Sequence, residues 1–273
     1  MESPRIDLAG WFRYHASYTR APIDLAIVAI IPARFGSTRL PGKPLSQING
    51  KPMVQHVWER ARGAQAVDRV LVATDDERIA EAVRRFGGQV ELTSPAHPSG
   101  SDRVAEVVRR LDAPLVLNVQ GDEPEIDPAD LDRLVERLAA GEEELVTLAR
   151  RFGPDEQAGF LDPNVVKVVL DARGRALYFS RAPIPHGARP EQALAHQGVY
   201  GWRREALLAF AAAPPCEAER AERLEQLRAL HLGMRLGVVL TAHASLGIDT
   251  PSDYAAFVRR CAARAAAGAG GSP

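Results

Sequence analysis

A doubly wound α/β fold with a largely parallel sheet is the architecture this sequence predicts, and three observations predict it. Leu25-Ala-Ile-Val-Ala-Ile-Ile31 is an unbroken β-prone run stopped by Pro32, the pattern of a strand buried on both faces. Strand and helix patterns then alternate four times by Pro124. The 273 residues are 46% hydrophobic and 25% charged, an ordinary globular balance with enough apolar content for a sizeable core.

After the first strand a loop reaches to about Pro52. Met53, Val54, Val57, Trp58 and Ala61 recur at helical spacing, and Arg69 to Ala73 supplies the next strand, completing a βαβ unit. Thr74-Asp-Asp-Glu77 reads as a capping box opening a helix whose Ile79, Ala82, Val83 and Phe86 share a face, and Gly87-Gly88 closes it. Gln89 to Thr93 returns as a strand. A loop over Ser94 to Gly100 leads into a helix from about Ser101, and Leu115 to Val119 is a further buried strand ending in Gln120-Gly-Asp-Glu-Pro124. Ligands of such a sheet are expected beyond the carboxyl ends of its strands.

Past a helix at about Pro128 to Ala140 the rhythm changes. Val165 to Leu170 and Ala176 to Phe179 are β runs joined across Asp171-Ala-Arg-Gly174, a hairpin signal, and the stretch at about 145–200 reads as an inserted lobe. Gln197 to Trp202 forms a strand, Glu217 to Leu230 one amphipathic helix, Arg235 to Thr241 the last strand, and Pro251 to about Ala267 the closing helix. The expected organisation is an N-terminal extension at 1–24, a single domain at 25–260 that includes the lobe, and a frayed tail at 261–273.

With 34 Lys+Arg against 35 Asp+Glu the chain is almost neutral, which argues against a general nucleic-acid or membrane-surface binder and for a small partner. Lysine occurs only at Lys43, Lys51 and Lys167, so a lysine that survives among so many arginines draws attention. Cys216 and Cys261 are too few and too unpatterned for a disulfide framework or a zinc site, and fit a reducing cytoplasm. No apolar run approaches the roughly 20 residues of a membrane helix, and residues 1–24 lack the apolar core of a secretory signal.

Between Pro32 and Pro44 the chain reads P-A-R-F-G-S-T-R-L-P-G-K-P, placing Arg34, Arg39 and Lys43 with Gly36 and Gly42 directly after a buried strand. Glycines let backbone N–H groups approach an anion, and Arg and Lys supply charge-assisted hydrogen bonds, the requirements for holding a polyphosphate. On spacing alone a solvated basic loop is the other reading. Five residues separate Gly36 from Gly42 and Pro44 follows Lys43, so this is not a Walker A loop, and no G-x-G-x-x-G supports a dinucleotide enzyme. Asp122 in N-V-Q-G-D-E-P and Asp249 in G-I-D-T-P-S-D both follow strands and would emerge at one sheet edge, where two carboxylates can hold Mg²⁺ together with substrate phosphates. Asp249 is equally open to a turn role, because Thr250-Pro-Ser-Asp253 is itself a capping box.

The segment I-P-A-R-F-G-S-T-R-L-P-G-K-P-L resembles the signature of sugar-nucleotide cytidylyltransferases, specifically the 3-deoxy-manno-octulosonate cytidylyltransferase family. S-G-S-D-R (99–103), Y-F-S-R-A-P-I-P (178–185), H-Q-G-V-Y-G-W (196–202) and L-E-Q-L-R-A-L (224–230) extend the resemblance from about Ile30 to Tyr254. Ser101 replaces the more usual Thr, and Ala96 stands where an Asp often precedes the His. The resemblance implies a Rossmann-like nucleotidyltransferase sheet whose hairpin lobe pairs two copies as a homodimer. It implies CMP transfer from CTP to 3-deoxy-D-manno-octulosonate with Mg²⁺ as cofactor, in the cytoplasm, for lipopolysaccharide synthesis.

The implied catalytic residues are Arg34, Lys43, Asp122 and Asp249, the last pair being the metal ligands. The implied nucleotide contacts are Ala33, Arg34, Ser37, Lys43, Ser99, Gly100 and Gln120. Around the sugar acid the resemblance places Arg39, Gln120, Arg181, His196, Tyr200, Glu225 and Gln226. A guanidinium fork suits the sugar's carboxylate, and His, Tyr, Glu and Gln suit its hydroxyls. Two other readings stand beside this one: an amino-substituted or sialic-type sugar acid as acceptor, or a catalytically silent nucleotide-binding protein on the same scaffold.

Overall fold

The computed structural model describes residues 26–36, 40–245, 247–248 and 250–269. The extension at 1–24 and the end of the tail therefore lie outside the described residues. Strand β1 (Ile27–Ala33) is buried at every position and alternates between two apolar layers. Val28 and Ile30 join one core with Val104, Val107, Leu207, Phe210 and Leu227, while Ile27, Ala29 and Ile31 join another with Val54, Val57, Ile79, Leu131 and Leu134. A strand covered on both faces is the physical meaning of the unbroken apolar run.

The chain continues through β2 (Gln47–Ile48), β3 (Lys51–Pro52), α1 (Met53–Arg62), β4 (Arg69–Thr74), α2 (Glu77–Arg85), β5 (Gln89–Leu92), α3 (Gly100–Val108), β6 (Leu115–Asn118) and α4 (Pro128–Ala140). It then forms β7 (Leu145–Arg151), α5 (Gln157–Leu161), β8 (Lys167–Leu170), β9 (Ala176–Ser180), β10 (Leu194–Arg203), α6 (Arg204–Ala212), α7 (Glu217–Glu222), α8 (Gln226–His231), β11 (Leu236–Thr241) and α9 (Pro251–Ala269). Among the described residues the main sheet runs β11-β7-β10-β6-β1-β4-β5. Only β10 opposes the common direction on this path, pairing antiparallel to β6 and β7. The carboxyl ends of β1, β4, β6, β7 and β11 thus share one edge, the edge expected to bind ligand.

Several sequence expectations change. Strand β7 is additional to the elements expected: it and β10 run through the main sheet, and the β8–β9 hairpin of the expected lobe at about 145–200 lies between them in the chain. The hairpin β8–β9 forms across Asp171 to Gly174 as expected, with Gly174 at φ +73, and joins the sheet where Leu194 and Ala195 pair with β8. Helix α2 is capped by Asp76, whose side chain accepts from the Arg78 N–H, and not by Thr74, which ends β4. Its other end is a Schellman turn, with Gly88 N–H on Val83 O and Gly87 N–H on Arg84 O, Gly87 taking φ +81.

The single helix expected over Glu217 to Leu230 is broken into α7 and α8, with Arg223 left-handed at φ +56. Tertiary contacts hold the break. Arg228 on α8 forms a two-pronged pair with Glu219 on α7, Nε at 2.8 Å and Nη2 at 2.5 Å, and also donates to the Ala213 carbonyl. Both side chains are buried. Arg228→Met should therefore leave the Glu219 charge uncompensated and destabilise the fold by about 3–5 kcal/mol. Thermal unfolding would show a midpoint lowered by roughly 10 °C, and an unchanged midpoint would mean the pair does not hold this corner.

A third, smaller core positions the site. Ile48, Met53, Ile248 and Phe257 pack together, joining the segment after the basic loop to the loop past β11 and to α9. Between them Asn49 (φ +49) and Gly50 (φ +77) make the tight turn linking β2 and β3.

Candidate active site

The two described ends of the basic loop meet. The Gly42 N–H donates to Phe35 O at 3.2 Å, Gly42 takes φ +67, and a Cβ there would lie 3.3 Å from the Phe35 ring. The Arg78 guanidinium stacks on that ring, 3.4 Å from its centroid. A 3₁₀ turn at Lys43–Leu45, with Pro44 buried beneath it, follows the reversal. From it Lys43 Nζ donates to Asp122 Oδ2 at 2.8 Å and to the Ile248 carbonyl at 2.8 Å. The Ile248 N–H donates to the Asp122 carbonyl at 2.9 Å. One ammonium thus joins three loops that are 79 and 205 residues apart in sequence.

Lys43 and Asp122 meet at the sheet edge as an ion pair, 13% and 29% exposed. Asp249, Ser37 and Arg39 lie outside the described residues. Thr250 and Asp253 make the reciprocal cap that opens α9: Asp253 Oδ2 accepts from the Thr250 N–H and Thr250 Oγ1 from the Asp253 N–H. Arg34 is exposed just past β1.

Ala33, Ser99, Gly100 and Gln120 are brought together where β1, α3 and β6 converge. A Cβ on Gly100 would lie 3.2 Å from Gln120 Oε1 and from Pro32, and one on Gly121 would strike the Pro32 carbonyl at 2.8 Å. At Gly121 only glycine lets the chain approach the Pro32 carbonyl so closely. Ser99 caps α3, accepting from the Asp102 N–H and donating to its carboxylate at 2.7 Å.

From Gln120 a chain of hydrogen bonds runs inward. Gln120 Nε2 donates to Asn118 Oδ1 (3.2 Å), Asn118 Nδ2 to Ser101 Oγ (3.1 Å), and Ser101 Oγ to Glu225 Oε1 (2.6 Å). Glu225 follows the helix break, so its carboxylate reaches α3 instead of continuing a helical face. Burial raises its carboxyl above the usual range, although Ser101 and Ser99 oppose this. Tyr200 faces Asn118 across the β10–β6 ladder, its phenol raised well above the ordinary value by burial and by Glu225. His196 lies on the same strand, edge-on to Phe179 at 4.9 Å and with its ring 5.7 Å from that of Tyr200. Gln226 is buried at the start of α8.

Arg181 is held by backbone carbonyls. Its Nε, Nη1 and Nη2 donate to the carbonyls of Glu222 (2.8 Å), Pro163 (2.9 Å) and Arg223 (3.4 Å), so in this structure the fork grips backbone at the α7–α8 break. Lys167 backs it: fully buried, its ammonium donates to the carbonyls of Asp162, Val165 and Arg181. Burial lowers its pKa. Asn118 and Lys167 carried no functional expectation; a polar amide inside the apolar run Leu115-Val-Leu-Asn-Val119 was the available signal for the first.

A family model described as cytidylyltransferase matches residues 28–236. A protein of Geobacter metallireducens named 3-deoxy-manno-octulosonate cytidylyltransferase is 50% identical over 250 residues, spanning 86% of this chain and 98% of that protein. The chain belongs to the 3-deoxy-manno-octulosonate cytidylyltransferase family. A Geobacter sulfurreducens member of this family is 52% identical over 241 residues, 83% of this chain and 96% of its own length. The solved structure of a CMP:2-keto-3-deoxy-manno-octonic acid synthetase complexed with CTP superposes with a TM-score of 0.82 at 41% identity, covering 88% of this chain and 99% of that one. The family is a CTP-using nucleotidyltransferase family, and its α/β sheet is the one described above. Among the described residues no helix is long and apolar enough to cross a membrane.

Proposed function

We propose that this chain transfers CMP from CTP to the anomeric hydroxyl of 3-deoxy-D-manno-octulosonate, releasing pyrophosphate and giving the activated sugar acid used for lipopolysaccharide. The observation that carries the reading is the site's two-ended build. At one end stands the basic loop with Asp122, and at the other His196, Tyr200, Glu225 and Gln226, joined through Gln120, Asn118 and Ser101. Relatives about half identical over nearly their whole length bear the name of this activity.

The sugar oxygen attacks the α-phosphorus while the bond to pyrophosphate breaks, so the protein's task is to position both substrates and offset phosphate charge. Arg34 and Lys43 hold the triphosphate, and Ala33, Ser99, Gly100 and Gln120 border the nucleotide. Glu225, Gln226, Tyr200 and His196 bind the sugar hydroxyls. Arg181 fixes the backbone break that presents Glu225 and Gln226. Lys43 engages only one Asp122 oxygen, and the carboxylate keeps solvent access, a donor that suits Mg²⁺ with its preference for one or two carboxylates plus phosphates. Asp122 and Asp249 would hold that ion, which supplies charge neutralisation on the phosphates.

We place the enzyme in the cytoplasm as a homodimer paired through the β8–β9 hairpin, where Leu177 and Tyr178 are exposed. Pyrophosphate release from CTP should be fastest with 3-deoxy-D-manno-octulosonate in a panel that includes its amino-substituted analogue and sialic acid. A faster rate with another acid would reassign the acceptor, and CTP binding without turnover of any acid would make this a silent nucleotide binder.

A further inference from the structure

Strand β10 carries a bulge between Gln197 and Tyr200 where it runs against β7. Bulged residues lose their ladder partners, and here two carbonyls turn onto one side chain. Thr147, fully buried on β7, has its Oγ1 2.8 Å from Val199 O and 3.2 Å from Gln197 O. The same oxygen lies 2.9 Å from Nε2 of His196.

A hydroxyl has one proton and two lone pairs, whereas a carbonyl oxygen only accepts. The Thr147 proton therefore goes to a carbonyl, Val199 O being the nearer, and Oγ1 meets His196 as an acceptor. Were the proton aimed at His196 instead, Oγ1 would face Val199 O at 2.8 Å with no hydrogen between them. Nε2 must then be the protonated ring nitrogen, since the hydrogen bond made by one nitrogen decides the state of the other. Burial holds His196 far below its ordinary pKa, at about 3, so the ring is neutral and carries a single N–H. Nδ1 is left as a lone pair, with no donor among the described residues directed at it.

We propose that Thr147 is a positioning residue of the sugar-acid subsite: by holding His196 as its Nε2–H tautomer, it makes Nδ1 a hydrogen-bond acceptor for a substrate hydroxyl. This rests on the assignment of His196 to the sugar acid made above. The part this geometry gives the ring is recognition of a hydroxyl-bearing ligand.

The test is ¹⁵N NMR of the substrate-free protein, with His196 picked out from the chain's seven histidines by comparison with His196→Asn. Nε2 should carry the proton and Nδ1 should show the downfield shift of an unprotonated ring nitrogen. Thr147→Val, which keeps the shape and removes the hydroxyl, should mix the tautomers. It should also raise the KM for the sugar acid about tenfold, with the KM for CTP unchanged. Thr147→Ser should restore both. An Nδ1–H tautomer in the unmodified protein overturns the proposal, as does a Val variant unchanged in spectrum and kinetics. Should Thr147→Val not fold, the tautomer of the unmodified protein decides alone. The tautomer is read without substrate, so it can fail while the unmodified enzyme still turns over 3-deoxy-D-manno-octulosonate, and the converse also holds.

Discussion

Asp122→Asn is expected to lower pyrophosphate release from CTP by on the order of a thousandfold while leaving the fold intact. Asparagine keeps the shape and one carbonyl oxygen but removes the charge, which pairs with Lys43 and which the proposed phosphate-bound cation would also use. The backbone bond from Ile248 to the Asp122 carbonyl survives the change, so the loop stays tethered. Loss of the partly exposed Lys43 pair should shift the thermal midpoint by only about 3 °C. Steady-state kinetics at saturating CTP beside a melting curve checks this. Activity within tenfold of the unmodified enzyme would remove Asp122 from phosphate chemistry and leave it as a tether for Lys43.

Lys43→Ala should reduce kcat/KM for CTP about a hundredfold, because one atom is removed from two tasks. Its Nζ ties the basic loop to Asp122 and to the Ile248 carbonyl; in the proposed reaction the same ammonium would also hold the triphosphate. Lys43→Arg should recover little, since a planar fork cannot replace a compact ammonium set between a carboxylate and a carbonyl. The two residues should also be coupled: the Lys43→Ala, Asp122→Asn double variant should lose less than the product of the single losses. Normal CTP kinetics in Lys43→Ala would confine the lysine to holding loops together.

Much of the fold is legible because it is local. Pro128 to Ala140 was read with the bounds the structure gives, since Asp127 caps the helix, Pro128 opens it and Gly141 follows its end. The hairpin turn at Asp171 to Gly174 was equally clear from its own residues. What stayed hidden depends on distant partners. No glycine or proline marks the break at Arg223; it is held by Arg181 and by the pairing of Arg228 with Glu219. Strand β7 escaped because Leu145-Val-Thr-Leu-Ala-Arg-Arg151 ends in two arginines and follows three glutamates, whereas its burial comes from β10 and β11.

The site divides in the same way. The basic loop, Asp122 and the motif at 224–230 could be read as chemistry from their residue types and their resemblance. That Lys43 sits on Asp122, that Arg181 grips backbone, and that Thr147 stands behind His196 are consequences of strand order. No spacing in the sequence encodes them.

The proposed reaction is a cytidylyl transfer with cleavage between the α- and β-phosphates of CTP. ³¹P NMR of CTP and 3-deoxy-D-manno-octulosonate with Mg²⁺ and the enzyme tests it most directly. The three CTP resonances should disappear with equal growth of pyrophosphate and one sugar-linked phosphodiester, both dependent on the sugar acid. Appearance of CDP with inorganic phosphate, or loss of CTP at the same rate without the sugar acid, would contradict it.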